Sequence, residues 1–125
     1  MIKQTRITAT VPAGGTGVTA TSEIAIHGEI LKISTDVTGA SMDINIDTVG
    51  EQVAQALLDY TGNTDTAFYP RVALTDNTGS ALDVSDAQGG DTAVYGCYAV
   101  FGKVILTLAS AAAAETVTVE ITYRE

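Results

Sequence analysis

Met-Asp-Ile-Asn-Ile-Asp, at residues 42–47, alternates apolar and polar side chains without a break. Successive side chains of a β-strand point to opposite faces, so this stretch predicts a half-buried strand. Its inward-facing members are Met42, Ile44 and Ile46. The same alternation returns near the end of the chain, at residues 116–123, and predicts a second strand of this kind.

β-branched side chains dominate the composition, since threonine, valine and isoleucine supply 41 of the 125 residues. These side chains suit a pleated surface and lose rotamer freedom in a helix. Further candidate strands, separated by turn-forming residues, lie at residues 3–11, 18–22, 23–35, 66–74, 81–84 and 92–108. Together they predict an all-β fold, an antiparallel β-sandwich or jelly-roll-like single domain over residues 1–125.

One segment leaves the secondary structure open. The apolar residues of positions 49–60 follow helical spacing, yet alternate positions also fit one side of a strand. We favour a strand because its neighbours are strands, with a short helix near 49–60 as the alternative. Elsewhere, Gly28 predicts a bulge or a break, and residues 92–108 predict two strands joined near Gly102.

The chain carries six basic and fifteen acidic residues, a formal net charge of −9. Nucleic acids and anionic membranes attract clustered Lys and Arg, so neither is expected as a partner. A single Cys excludes an internal disulfide framework and a multi-Cys zinc site, and a single His excludes most His-based chemistry. We therefore predict no metal and no cofactor.

The N-terminal segment shows no apolar run after its first charges, and no apolar stretch approaches the ~18 residues that span a bilayer. We expect neither a secretory signal nor a membrane-spanning segment. The protein is expected to act without export.

The most unusual stretch is residues 65–71, which ends in Phe68, Tyr69, Pro70 and Arg71. Adjacent aromatic residues on a strand point to opposite faces, and Tyr and Arg are enriched where proteins meet. Pro70 lacks the ladder N–H, which predicts an edge or a broken strand. The functional interpretation is an interface anchor. The alternative is a core Phe68, a solvent-exposed Tyr69 and an Arg71–Asp65 ion pair.

The first strand, at residues 1–11, is a candidate for pairing between subunits. A strand at a chain terminus can add to the edge of its own sheet or of a neighbour's sheet. Ile2 and Arg6 are the residues that we assign to such a contact with another subunit or partner.

Catalytic and metal-binding alternatives have weaker support. Asp83, Asp86 and Asp91 flank one glycine-containing loop, but the calcium-loop pattern is missing, so solvated turn carboxylates are the default interpretation. The same holds for a second carboxylate set, namely Asp36, Asp43 and Asp47. His27 and Cys97 form a conceivable nucleophile–base pair, although a lone buried Cys usually serves as a small apolar residue.

In the order of its motifs, the chain resembles the small β-rich decoration, or cement, proteins of tailed-bacteriophage capsids. The matching segments are the opening strand 2–11, the glycine-rich break 12–17, the run 26–33, the strand 42–47, the Phe-Tyr-Pro-Arg stretch 68–71 and the strand 117–123. The segment 52–58 is richer in alanine than the corresponding strand of that family.

This resemblance implies a structural virion protein without catalytic activity. It further implies a homotrimer on the outer surface of an icosahedral capsid, assembled in the host cytoplasm, with the major capsid protein as partner. Two alternatives remain, a carbohydrate-binding β-sandwich module and a tail-associated β module of a virion.

Overall fold

The computed structural model describes residues 1–85 and 91–125, and within them the protein is all β, without a helix. The strands, in chain order, are β1 (Ile2–Thr10), β2 (Val18–Thr21), β3 (Ile26–Thr38), β4 (Met42–Val49), β5 (Ala56–Gly62), β6 (Thr66–Phe68), β7 (Val72–Ala73), β8 (Asp83–Ser85), β9 (Asp91–Ala93), β10 (Tyr95–Gly96), β11 (Ala99–Ala109) and β12 (Thr116–Arg124). Every strand pair is antiparallel, so the all-β, sandwich-like architecture predicted from the sequence is confirmed.

Two packed layers make up the sandwich, and β11 belongs to both. The first layer contains β1, β12, β3 and β6, together with residues 99–102 of β11. The second layer contains β2, β4 and β5, together with residues 103–109 of β11. The sequence predicted two strands joined near Gly102. Gly102 instead marks the point at which one continuous strand passes between the layers.

Ser22 completes the hydrogen bonding where β11 changes layer. Its hydroxyl accepts the backbone N–H of Val104 at 3.1 Å and donates to the carbonyl of Ile24 at 2.8 Å. The Ser22 side chain is buried, so it satisfies a donor that water cannot reach.

The core fills the space between the layers with the inward-facing side chains of both. The strand β4 buries alternate residues, with Met42, Ile44 and Ile46 almost inaccessible, as its sequence pattern predicted. The strand β12 does the same with Val117 and the three alternate residues that follow it. Burial of an aliphatic side chain of this size contributes about 1.5–3 kcal/mol, so these strands supply much of the stability.

The first and last strands are neighbours. The strand β1 pairs with β12 in unbroken register from Ile2–Arg124 to Thr10–Thr116, and β12 pairs with β3 on its other side. A bulge in β3 leaves Leu31 without a partner in β12, close to the predicted irregularity at Gly28. Gly28 itself lies within the continuous strand β3.

The short helix near residues 49–60, which the sequence left open as the alternative, is wrong. The strand β4 runs to Val49, the chain turns at Gly50 with a φ of 84°, and β5 starts at Ala56. The turn is closed by Thr48, whose N–H donates to the carbonyl of Gln55 at 3.0 Å and whose hydroxyl accepts the N–H of Gln55 at 2.8 Å. The strand that the sequence favoured is confirmed at Val49 and from Ala56 onward, and is wrong for the turn between them.

An apparently helical pattern arose from a bulge. The pairing of β4 with β5 skips Leu57, so Leu57 and Leu58 are both buried although they are adjacent. Two consecutive apolar residues within a strand break the alternation on which sequence prediction depends.

An arm leaves the sandwich between β6 and β11. Four short strands build it: β7 pairs with β10, and β8 pairs with β9. Backbone hydrogen bonds link these pairs, from Leu74 N–H to the Val94 carbonyl at 2.8 Å and from Val94 N–H to the Leu82 carbonyl at 2.9 Å.

No helix in the described ranges is long and apolar enough to cross a membrane.

Candidate interaction surfaces

The arm is fixed to the sandwich at both of its ends. Phe68 and Tyr98, which flank it in the chain, are partly buried and pack against the core. The ring centroids of Phe68 and Tyr60 lie 5.0 Å apart, and the ring planes are tilted by 56°, a favourable aromatic arrangement. The residues described between these anchors contribute no side chain to the core. The arm therefore lies outside the core, with Val72, Leu74 and Val94 half-buried and other apolar side chains exposed.

Tyr69, Pro70 and Arg71 open the arm. Pro70 separates β6 from β7, which confirms the predicted broken strand. Tyr69 is 64% exposed, and the Arg71 guanidinium donates to the Pro70 carbonyl at 2.7 Å. Phe68 packs against the core, as the alternative to an interface anchor predicted. The Arg71–Asp65 pair of that alternative does not form; Asp65 instead accepts the N–H of Val37 at 2.9 Å.

The arm also exposes Leu82 and Tyr95, which the sequence did not single out. Tyr95 lies on β10 opposite Ala73 and is 60% exposed. A signal was present in the sequence, because Tyr95 follows a Thr-Ala-Val run with strand character. The sequence alone does not show which face of that strand packs toward the core.

The free edge of β1 is the second candidate surface. The Val11 N–H donates to the Glu115 carbonyl, and the Met1 carbonyl accepts the Glu125 N–H, so odd-numbered residues of β1 bond to the C-terminal segment. Hydrogen-bonded and non-bonded pairs alternate along an antiparallel ladder. The N–H and C=O groups of the even-numbered residues, Ile2 and Arg6 among them, therefore face away from β12.

The side chains of these even-numbered residues cover the outer face of the first layer. Arg6 donates to Glu120 at 2.8 Å, and the hydroxyls of Thr8 and Thr118 lie 3.1 Å apart. Ile2 is 57% exposed. A shallow depression of about 320 Å³ lies on this face, lined by Arg6, Ser34, Thr35, Asp36, Thr118 and Glu120.

No family model, no curated protein and no solved structure matches the chain.

Charge is distributed unequally over the molecule. The strands β1, β3 and β12, with the adjoining Glu125, hold four basic and four acidic side chains. The remainder of the chain holds two basic and eleven acidic ones, and therefore carries the entire net charge of −9. Ion pairs organise the neutral part. The Lys3 Nζ atom lies 2.5 Å from Oε2 of Glu125, and this contact lowers the pKa of Glu125.

Other acidic groups stabilise turns. Glu115 accepts the N–H of Ala112 at 2.9 Å and that of Ala40 at 2.7 Å, and these bonds hold its pKa below the usual value. The hydroxyl and N–H of Thr78 do the same for Asp76. Both carboxylates accept backbone N–H groups and so stabilise the turns around them.

The predicted carboxylate sets do not assemble. Asp36 lies on β3 of the first layer, whereas Asp43 and Asp47 lie on β4 of the second. Of the set that flanks residues 88–90, Asp83 and Asp91 lie on the paired strands β8 and β9, and Asp86 falls outside the described residues. Elsewhere in the described chain, no three His, Cys, Asp or Glu side chains come close enough to hold a metal ion.

His27 and Phe101 form an exposed pair on the outer face of the first layer. They lie opposite each other on β3 and β11, with ring centroids 6.4 Å apart. Phe101 is 69% exposed, and sequence reasoning missed it. Cys97, the other half of the conceivable catalytic pair, is a half-buried free thiol just before β11.

Proposed function

We propose that the chain is a structural virion protein that decorates and stabilises an icosahedral phage capsid by binding the major capsid protein as a homotrimer. The observation that carries this proposal is the arm, which is anchored at Phe68 and Tyr98 and exposes Tyr69, Leu82 and Tyr95. Apolar and aromatic side chains displayed on a projection are typical of surfaces that bind other proteins.

Multivalency gives such a contact its strength. One arm of this size offers a modest surface, but a trimer presents three arms to the same shell. Once the first arm is bound, the others bind intramolecularly, which raises the overall affinity by about 10²–10⁴. A trimer that bridges neighbouring capsid subunits then opposes their separation under internal pressure.

The fold and the charge suit this role. The strand β11, which follows the arm in the chain, pairs in both layers, so one continuous strand joins the arm to both sheets. The net charge of −9 keeps densely displayed copies soluble. The proposal places the protein on the outer surface of the virion and assigns it no catalytic step.

The direct test uses expanded capsid shells of the phage that encodes the chain, prepared without this protein. Purified protein is then added to these shells. We expect cosedimentation with the shells and a higher thermal transition of the shells by scanning calorimetry. The double variant Tyr69→Ala/Tyr95→Ala should bind much more weakly. Phe101→Ala, which removes an equally exposed aromatic ring outside the arm, is the matched control and should bind normally.

Two results would remove the proposal. The first is wild-type protein that neither binds the shells nor changes their thermal transition. The second is labelling of virions at the tail rather than the head by an antibody against the chain, which favours a tail-associated β module.

The exposed Tyr69 and Tyr95 also suit a carbohydrate-binding module, since aromatic rings with a polar tip can pack against sugars. A glycan array separates the two functions. Specific glycan binding that depends on these tyrosines, without binding to shells, replaces the capsid proposal.

A further inference from the structure

We infer that the peptide bond between Arg71 and Val72 is a site of limited hydrolysis by a trypsin-like serine endopeptidase. The cut detaches one end of the arm and leaves the sandwich folded. Water adds across this amide bond, so that Arg71 gains a carboxylate and Val72 gains an amino group. Neither a capsid nor a second copy of the chain takes part in the reaction.

Arg71 differs from the other basic residues in the state of its backbone. The chain has six basic residues, and five of them lie opposite a ladder partner in one of the strands β1, β3, β11 and β12. Arg71 lies between β6 and β7, outside any strand, and is exposed. A peptide bond within a sheet resists proteases because it must leave its strand to enter an active site. Arg71 is therefore the accessible target for an enzyme that cuts after basic residues.

The backbone that precedes the bond suits a protease. Within the described part of the chain, Tyr69 and Arg71 make no backbone hydrogen bond. A protein that binds an extended segment as an added strand pairs with it through alternate residues, which here are Tyr69 and Arg71. Pro70, between them, has no N–H to contribute, and it favours extended backbone for itself and for the residue before it.

The Arg71 side chain is also available to the enzyme. Its guanidinium donates to the carbonyl of the preceding Pro70 at 2.7 Å, and it forms no ion pair with a carboxylate of the described residues. Trypsin selects basic side chains through a carboxylate in its specificity pocket. Binding there replaces a hydrogen bond to a neutral carbonyl with a stronger one to a charged group.

The segment that follows the bond can open without disturbing the core. Val72 and Ala73 form a two-residue strand with β10, and the N–H of Leu74 donates to the carbonyl of Val94. None of these residues packs against the core. Local opening that breaks few hydrogen bonds costs less free energy than global unfolding, so a protease can reach the bond while the sandwich is folded.

The two fragments, residues 1–71 and 72–125, interlock through strand pairing. The strand β12 of the second fragment lies between β1 and β3 of the first, and β11 lies between β2 and β4. Both long strands of the second fragment therefore have strands of the first on either side. Their inward-facing side chains also complete the shared core.

The arm stays attached at one end after the cut. Tyr98 packs against the core, and its carbonyl accepts the N–H of Ile30 at 2.9 Å. Phe68 keeps its contact with Tyr60 on the other fragment. Hydrolysis after Arg71 therefore changes an arm that is held at both ends into one that is held at Tyr98 alone.

Brief digestion of the native chain with trypsin tests the bond, with the products identified by mass spectrometry under denaturing conditions. We expect residues 1–71 and 72–125 as the first products. Size-exclusion chromatography of the same digest without denaturant should give one peak at the elution volume of the uncut chain. The far-ultraviolet circular dichroism of this peak should match that of the uncut chain.

Variants separate the geometry of the segment from simple exposure. Arg71→Gln should remove the cut, and Arg71→Lys should make the native chain sensitive to a lysine-specific endopeptidase, which the wild type resists. The matched control combines Arg71→Gln with Ala67→Arg, which places an arginine at an exposed position of β6 opposite Ser34. We expect this control to be cut about tenfold more slowly than the wild type, because residue 67 must first leave its strand.

Four results would overturn the inference. Native wild type could resist trypsin under conditions that digest the denatured chain. The first cut could fall in one of the long strands. The Ala67→Arg control could be cut as fast as the wild type, or the nicked fragments could separate on the column. Since no capsid shell enters these assays, each result is independent of the shell-binding test.

Discussion

The carbonyl oxygen of Arg124 occupies the space in which a Cβ on residue 28 would sit, so the end of β12 lies directly against the backbone of Gly28. Glu29, the next residue, forms an ion pair with the Arg124 guanidinium and accepts its Nε–H at 3.1 Å. Close backbone approach and side-chain pairing thus fix the C-terminal end of β12 on β3.

Replacing Gly28 should therefore be costly. Gly28→Ala forces β12 away from β3, and we expect a loss of about 1–3 kcal/mol in the free energy of unfolding, measured by urea denaturation. Gly50→Ala is the control, because a Cβ there meets open space and the substitution tests only the strain of a positive φ. Equal losses in the two variants would contradict the steric explanation.

The buried Ser22 offers a second test of the fold. Ser22→Ala leaves the N–H of Val104 without its side-chain acceptor, which should cost about 1–3 kcal/mol of unfolding free energy. Thr21→Ala removes a hydroxyl from an exposed neighbouring position and should change stability little. If both variants unfold at the same denaturant concentration, Ser22 does not supply an essential hydrogen bond.

Substitutions of the adjacent residues Phe68 and Tyr69 should affect different properties, stability in the first case and binding in the second. Phe68→Ala removes the ring that packs on Tyr60, so we expect a loss of about 2–4 kcal/mol in stability, measured by chemical denaturation. Tyr69→Ala should leave stability nearly unchanged and weaken shell binding. A stability loss of the same size for Tyr69→Ala would place its side chain in the core rather than at an interface.

Acid should weaken the fold through Glu115. Its pKa is lower in the folded protein than in the unfolded chain, so its contribution is present above the unfolded pKa and is lost as the pH falls through the folded value. We expect Glu115→Gln to have a lower Tm at pH 7 and a smaller further decrease below pH 4.5 than wild type. Glu23→Gln, at an exposed position, controls for net charge; a Glu115→Gln profile parallel to wild type would contradict the assignment.

The sequence predicted the regular parts of the fold because each strand there has one buried face. The alternation at residues 42–47 placed Met42, Ile44 and Ile46 correctly, and the strand at residues 116–123 was confirmed as β12. Prediction failed where the backbone departs from regular pairing. The bulge at Leu57 resembled helical spacing, and Gly102 looked like a turn although β11 continues through it.

The candidate surfaces were predictable in part. Pro70 and the paired aromatics drew attention to residues 68–71, but their division into a buried Phe68 and an exposed Tyr69 depends on which side of β6 faces the core. Tyr95 and Phe101 were missed for the same reason. The polarity of the molecule, neutral around β1, β3 and β12 and acidic elsewhere, needs the pairing of distant strands and cannot be read from local sequence.

The neighbouring position of β1 and β12 has a consequence for biosynthesis. Residues 2–10 leave the ribosome before their partner at residues 116–124, which is translated more than a hundred residues later, on the order of ten seconds at cellular elongation rates. The strand β3 waits for the same partner. The first layer therefore closes only after β12 has been made, and until then the nascent polypeptide carries β1 and β3 without the strand that pairs with both.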